Sequence, residues 1–83
     1  MYQNYPNPFN PTTSVQYSIA NRQLVTLKIF NVLGQEIETF VNEEKPAGTY
    51  ELTWNAANLP SGVYFYQLRA GDFKQTKKMI LLR

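Results

Sequence analysis

The sequence predicts an all-β domain: an antiparallel sandwich or small barrel of six or seven short strands. Three observations predict it. Apolar residues recur with period 2, no segment carries a sustained helical stripe, and turn residues interrupt the chain about every eight to twelve positions. The 83 residues suffice for one small domain. A chain of this size buries only about 60% of the surface exposed when unfolded, so its core needs large side chains. Six Tyr, five Phe and one Trp supply them.

The opening run Tyr5-Pro6-Asn7-Pro8-Phe9-Asn10-Pro11 cannot form a central strand, because Pro offers no ladder donor. It reads as an extended, semi-rigid lead-in whose Tyr5 and Phe9 dock on the sandwich. Residues 1–12 are therefore assigned to a Pro-rich junction where a linker would join, and residues 13–83 to the sandwich. Val15, Tyr17 and Ile19 alternate with Gln16 and Ser18 as a first strand, and Val25, Leu27 and Ile29 with Thr26 and Lys28 as a second. A turn follows at Val32-Leu33-Gly34-Gln35. A third strand spans Glu36 to Val41, with Ile37, Thr39 and Val41 on one side; Phe40 breaks the alternation and predicts a bulge or strand end.

Asn42 to Ala47 reads as a polar loop closed by Pro46 and Gly48. Tyr50, Leu52 and Trp54 alternate with Thr49, Glu51 and Thr53 in the clearest half-buried strand. Asn55 to Gly62 carries turn residues with room for a short helical turn. The last third is a hairpin: Val63 to Ala70 and Phe73 to Arg83 flank Gly71-Asp72, which suits a two-residue turn with Gly first. In that register Tyr64 opposes Met79, Tyr66 opposes Lys77, Val63 opposes Ile80 and Phe65 opposes Lys78. Met79-Ile80-Leu81-Leu82 is apolar on both faces, which predicts a strand between two neighbours. No internal repeat is read in the chain.

Composition narrows the chemistry. There is no Cys and no His, which removes disulfides, thiolate nucleophiles, Cys/His zinc sites and the commonest general base near neutral pH. No run approaches the roughly 18 apolar residues of a membrane span, so no membrane insertion is expected. The first residues have neither a basic nor an apolar region of the signal-peptide kind. Net charge is only +2, yet Lys74, Lys77, Lys78 and Arg83 crowd the end of the chain behind Arg69, while the glutamates lie earlier. A basic tail can serve an anionic partner or decorate a solvated strand. Without a docking element or stacking platform of recognised type, no nucleic-acid partner is expected.

Each remaining candidate has a plain alternative. Glu36 and Glu38 at i, i+2 share one strand face, where acid–base work competes with simple solvation. Asn42-Glu43-Glu44 offers oxygens to calcium, but a site needs six to eight of them. Ser14, Ser18 and Ser61 have no activating partner in view. Tyr50, Trp54, Tyr64, Phe65 and Tyr66 build either a stacking platform for sugars or the core itself. Neither a catalytic residue nor a cofactor or metal site is assigned.

Several blocks, in order, resemble the C-terminal sorting domains of type IX (Por) secretion cargo. They are Tyr5-Pro-Asn-Pro-Phe-Asn-Pro-Thr-Thr13, Val25-Thr-Leu-Lys-Ile-Phe-Asn-Val-Leu-Gly-Gln-Glu36, Pro46-Ala-Gly48, Leu59-Pro-Ser-Gly-Val-Tyr-Phe-Tyr66 and Lys77-Lys78-Met79-Ile80. They are also similar to the immunoglobulin-like domain of flagellar hook-capping proteins, so fold and function need separate arguments. The resemblance implies an immunoglobulin-like antiparallel sandwich of about seven strands, fused behind an N-terminal cargo that passes the periplasm and is then secreted or held at the cell surface. It implies a type IX translocon as partner and a surface sortase that removes the domain. By matched position its recognition candidates are Pro46, Gly48, Gly62, Tyr64, Lys77, Lys78, Met79 and Ile80. The alternatives are a carbohydrate-binding module presenting Tyr64, Tyr66 or Trp54, and a structural spacer. Self-association through an open sheet edge is a further expectation.

Overall fold

Alternation decides which side chains go inside. In the computed structural model, which describes residues 1–82, the period-2 pattern becomes six strands, with no helix among the described residues. They are β1 (Thr12–Ile19), β2 (Gln23–Phe30), β3 (Glu36–Lys45), β4 (Gly48–Asn55), β5 (Gly62–Ala70) and β6 (Phe73–Leu81). β1 pairs with β4, and the other four form a sheet in the order β3-β2-β5-β6. Every pairing between these strands is antiparallel. Six strands stand in place of about seven because the lead-in, with its prolines, makes only isolated bridges, Tyr5 to Ser14 and Phe9 to Leu81.

The inward residues of both sheets meet in one core. Val15, Tyr17 and Ile19 of β1 face Val25, Leu27 and Ile29 of β2 and Tyr64, Tyr66 and Leu68 of β5, all buried. Trp54 is the aromatic hub, with ring centroids at 5.7 Å from Phe9, 6.1 Å from Phe40 and 6.0 Å from Tyr64. Such tilted and edge-on pairs add to simple area burial. The indole N–H donates to Glu38 Oε2 at 2.7 Å, so its one polar atom is satisfied. The aromatic residues are thus mainly core, as a small domain requires.

The lead-in is a strap that joins the two sheets along one side. On β1 it exchanges both backbone bonds between Tyr5 and Ser14 and donates from Tyr2 to Gln16 O. On β6, Phe9 N–H donates to Ile80 O, and Phe9 O accepts from Leu82 N–H. Buried Asn4 pins it: its N–H reaches the Tyr66 hydroxyl at 2.8 Å, and Nδ2 reaches Thr13 Oγ1 at 2.9 Å. The Tyr66 hydroxyl donates in turn to Tyr2 O at 3.2 Å. Phe9 docks fully, whereas Tyr5 docks by its backbone alone and leaves its ring 81% exposed.

β3 departs most from the sequence expectation. It continues to Lys45, so Asn42-Glu43-Glu44 lies on a strand rather than in a loop, because β2 pairs it as far as Gln23↔Lys45. The bulge expected at Phe40 is present, where Leu27↔Val41 is followed by Lys28↔Thr39. A second one falls at Ile37. Each extra residue reverses the alternation once, so Thr39 and Val41, either side of Phe40, take opposite faces. They also separate the carboxylates: Glu38, opposite inward Ile29, reaches Trp54, while Glu36, opposite outward Phe30, meets Lys28. Asn55 to Gly62 holds a single turn closed by Leu59 N–H on Ala56 O.

The hairpin forms in the predicted register from Gly62↔Leu81 to Ala70↔Phe73. Gly71 has φ +61°, the left-handed value that the first turn position demands. β6 is nevertheless an edge strand, since the sheet ends there. Its apolar end still lies between neighbours, because Phe9 of the strap covers it. The expected continuation to Arg83 falls outside the described residues.

Candidate functional site

The motif residues fall into two corners with one design. Pro46-Ala-Gly48-Thr-Tyr50 and Pro60-Ser-Gly62-Val-Tyr64 share the spacing Pro-x-Gly-x-Tyr. In each, Gly opens a strand with φ near +150° (+155° and +151°), outside the range most side chains accept. In each, the Tyr hydroxyl donates back to the Pro carbonyl four residues earlier, Tyr50 to Pro46 and, at 2.7 Å, Tyr64 to Pro60. The two corners use one five-residue motif twice. They resemble the tyrosine corner of β-sandwiches, where the hydroxyl ties a loop to the strand it precedes.

The corners stand at opposite ends of the sandwich. Gly48 opens β4 opposite the last residue of β1, while Gly62 opens β5 opposite the last residue of β6. The eight candidates therefore do not form one cluster. Pro46 and Gly48 hold one end. Gly62, Tyr64, Met79 and Ile80 gather at the other, with Tyr64 paired to Met79. Lys77 and Lys78 lie midway along β6, Lys77 half-buried opposite Tyr66 and Lys78 exposed opposite Phe65. Buried Met79 and Tyr64 serve the core, so only the lysines and Ile80 among the hairpin candidates offer side-chain surface.

Charge is segregated around these strands. Arg22 pairs with Glu44, Lys28 with Glu36 and Lys45 with Glu43, at 3.1–3.3 Å. Lys45 also sits 4.7 Å over the Tyr50 ring. The Thr39 hydroxyl, then Lys28, hold the Glu36 carboxyl below the ordinary range. In contrast, Arg69, Lys74, Lys77 and Lys78 make no ion pair among the described residues. Arg69 even stands directly opposite Lys74. Like charges in that position are destabilising unless something else meets them.

The other candidates resolve simply. Trp54, Tyr64 and Tyr66 are buried, and Tyr50 stacks on Tyr17 at 5.4 Å, so no exposed platform forms from them. Of the two roles open to these rings, Trp54, Tyr64 and Tyr66 take the core one. Glu43 and Glu44, neighbours on a strand, point apart and each holds a cation. Sequence reasoning placed the β2–β3 turn but missed how Asn31 holds it. Asn31 Oδ1 accepts from Leu33 and Gln35 N–H, and Asn31 O from Gly34 N–H, while Val32 and Leu33 stay exposed. They rim a shallow apolar hollow of about 480 Å³ with Leu59, Pro60 and Val63. Asn31 before Val32-Leu33-Gly34 was the available signal, since Asn bonds readily to backbone two residues on.

Set against known proteins, residues 3–82 match the family model described as the secretion system C-terminal sorting domain. No curated protein and no solved structure matches the chain.

Proposed function

The chain belongs to the secretion system C-terminal sorting domain family, and from that premise we propose that it is read through its β5–β6 hairpin to sort a fused cargo. Family membership supports a type IX sorting signal, with an N-terminal cargo exported to the surface or secreted. The observation that carries the reading is the match across 3–82, which takes in both corners and the whole hairpin.

The two small antiparallel sheets and the Tyr corners favour an immunoglobulin-like arrangement, with the strap where a further strand would run. In transit the domain would cross the periplasm folded. The strap forms the junction to the cargo, and a surface sortase would cut beside it. Pro46 and Gly48 shape one corner; Gly62, Tyr64, Met79 and Ile80 shape the hairpin, and Lys77 and Lys78 present its charge. No catalytic role is assigned to any residue. A spacer role is the competing reading, and export decides between them. Lys77→Glu/Lys78→Glu in a folded domain is expected to leave the cargo unexported; full export of that variant would refute recognition through the hairpin.

A further inference from the structure

We propose that the open edge of β6 from Lys74 to Lys78 receives an extended acidic segment of a partner polypeptide as an added strand. The proposal rests on reading the hairpin as the recognised element and names the chemistry of what recognises it.

The backbone defines the slot. In an antiparallel ladder, alternate residues turn both N–H and C=O toward the same neighbour. Ala70 and Phe73 close the two-residue turn, so the odd-numbered residues of β6 bond to β5 and the even-numbered ones face away. The strap marks that outward direction: Gln3 Nε2 donates to Lys78 O, Ile80 N–H donates to Asn7 Oδ1, and Ile80 O accepts from Phe9. The strap stops there. Both backbone groups of Lys74 and Thr76, and the N–H of Lys78, face an edge that no described strand covers. β6 has no bulge and no Pro, two of the features that keep a further strand off an edge.

Charge selects the occupant. Lys74 and Lys78 flank the slot, Arg69 stands behind Lys74, and none of them is ion-paired among the described residues. An incoming strand with alternating carboxylates would relieve the Arg69–Lys74 repulsion while its backbone satisfies the open edge. Lysines on an edge also guard against aggregation. Guarding alone predicts that no strand binds at all.

The test uses the 83-residue chain and synthetic peptides of about ten residues. One peptide alternates Glu with Thr, a second alternates Lys with Thr, and a third is polyglutamate. The Glu–Thr peptide is expected to slow hydrogen exchange at the amides of Lys74, Thr76 and Lys78. Its binding should weaken about tenfold or more between about 0.05 and 0.5 M salt. Thr76→Pro removes one outward N–H without touching the β5 ladder, and should abolish that protection while polyglutamate binding persists. Lys74→Glu/Lys78→Glu should lose both. Absence of protection in the native chain, equal binding of the Lys–Thr peptide, or unchanged protection at Lys74 and Lys78 in a folded Thr76→Pro variant would each overturn the proposal. So would a dimer of this chain that occupies the edge and resists the Glu–Thr peptide. Peptide protection together with normal export of Thr76→Pro would uphold the slot and count against its use in sorting. An export defect without any peptide protection would overturn the slot and leave the sorting reading standing.

Discussion

Replacing Phe9 with Ala tests whether the strap belongs to the fold. Phe9 is 2% exposed, packs 5.7 Å from Trp54 and carries the two backbone bonds that tie the strap to β6. Losing a buried Phe ring costs about 3–5 kcal/mol from lost transfer energy and the cavity left behind. A domain of this size has about 4–12 kcal/mol in total, so the variant approaches the unfolding limit. The melting temperature should fall by about 20 °C, given about 4–8 °C per kcal/mol in small domains. Thermal unfolding followed by far-UV circular dichroism reads this directly. Tyr5→Ala is the internal control, because a ring 81% exposed should change stability by no more than about 0.5 kcal/mol. A loss below about 1 kcal/mol for Phe9→Ala, or equal losses for the two variants, would refute the reasoning: the strap would then be a dispensable lead-in.

Other expectations follow from the same geometry. Tyr64→Phe should cost about 0.5–1.5 kcal/mol in denaturant unfolding, and Tyr50→Phe less, because the Tyr50–Pro46 corner is the more exposed. Gly71→Ala should cost roughly 1–2 kcal/mol through the left-handed turn, while the Gln23 side chain that crowds the new methyl can swing away. Burial holds the hydroxyls of Tyr66 and Tyr17 above their ordinary pKa of 10.0, against the lowering effects of Asn4 N–H and Lys45. The unfolded chain then loses these protons first as pH rises, so the contribution of these two hydroxyls to stability stays level below about pH 10 and falls above it. Tyr66→Phe should flatten part of that fall in pH-dependent melting curves.

The sheet register was legible where local chemistry dictates it. Gly71-Asp72 fixes the hairpin turn, and every pairing from Gly62 to Phe73 follows by counting. Alternation likewise exposed β1, β2 and β4. β3 was harder: bulges at Ile37 and Phe40 reverse its faces, and an acidic run such as Asn42-Glu43-Glu44 reads as a loop until Arg22 and Lys45 are seen to hold it. The edge position of β6 was hidden because its apolar end is covered by Phe9, some seventy residues earlier in the chain. No local pattern reports a contact at that separation. The candidate site shows the same division. The Pro-x-Gly-x-Tyr spacing is written in the sequence, but that its two copies sit at opposite ends depends on strand order. The unpaired state of Arg69, Lys74, Lys77 and Lys78 depends on where the glutamates land.

Sufficiency for export tests the central claim most directly. Residues 1–83 would be fused behind a signal peptide and a fluorescent cargo, in a host with an intact type IX system and in one lacking it. The account predicts cargo outside the first host and retained in the periplasm of the second. Retention in both, with the fused domain shown to be folded, would contradict it.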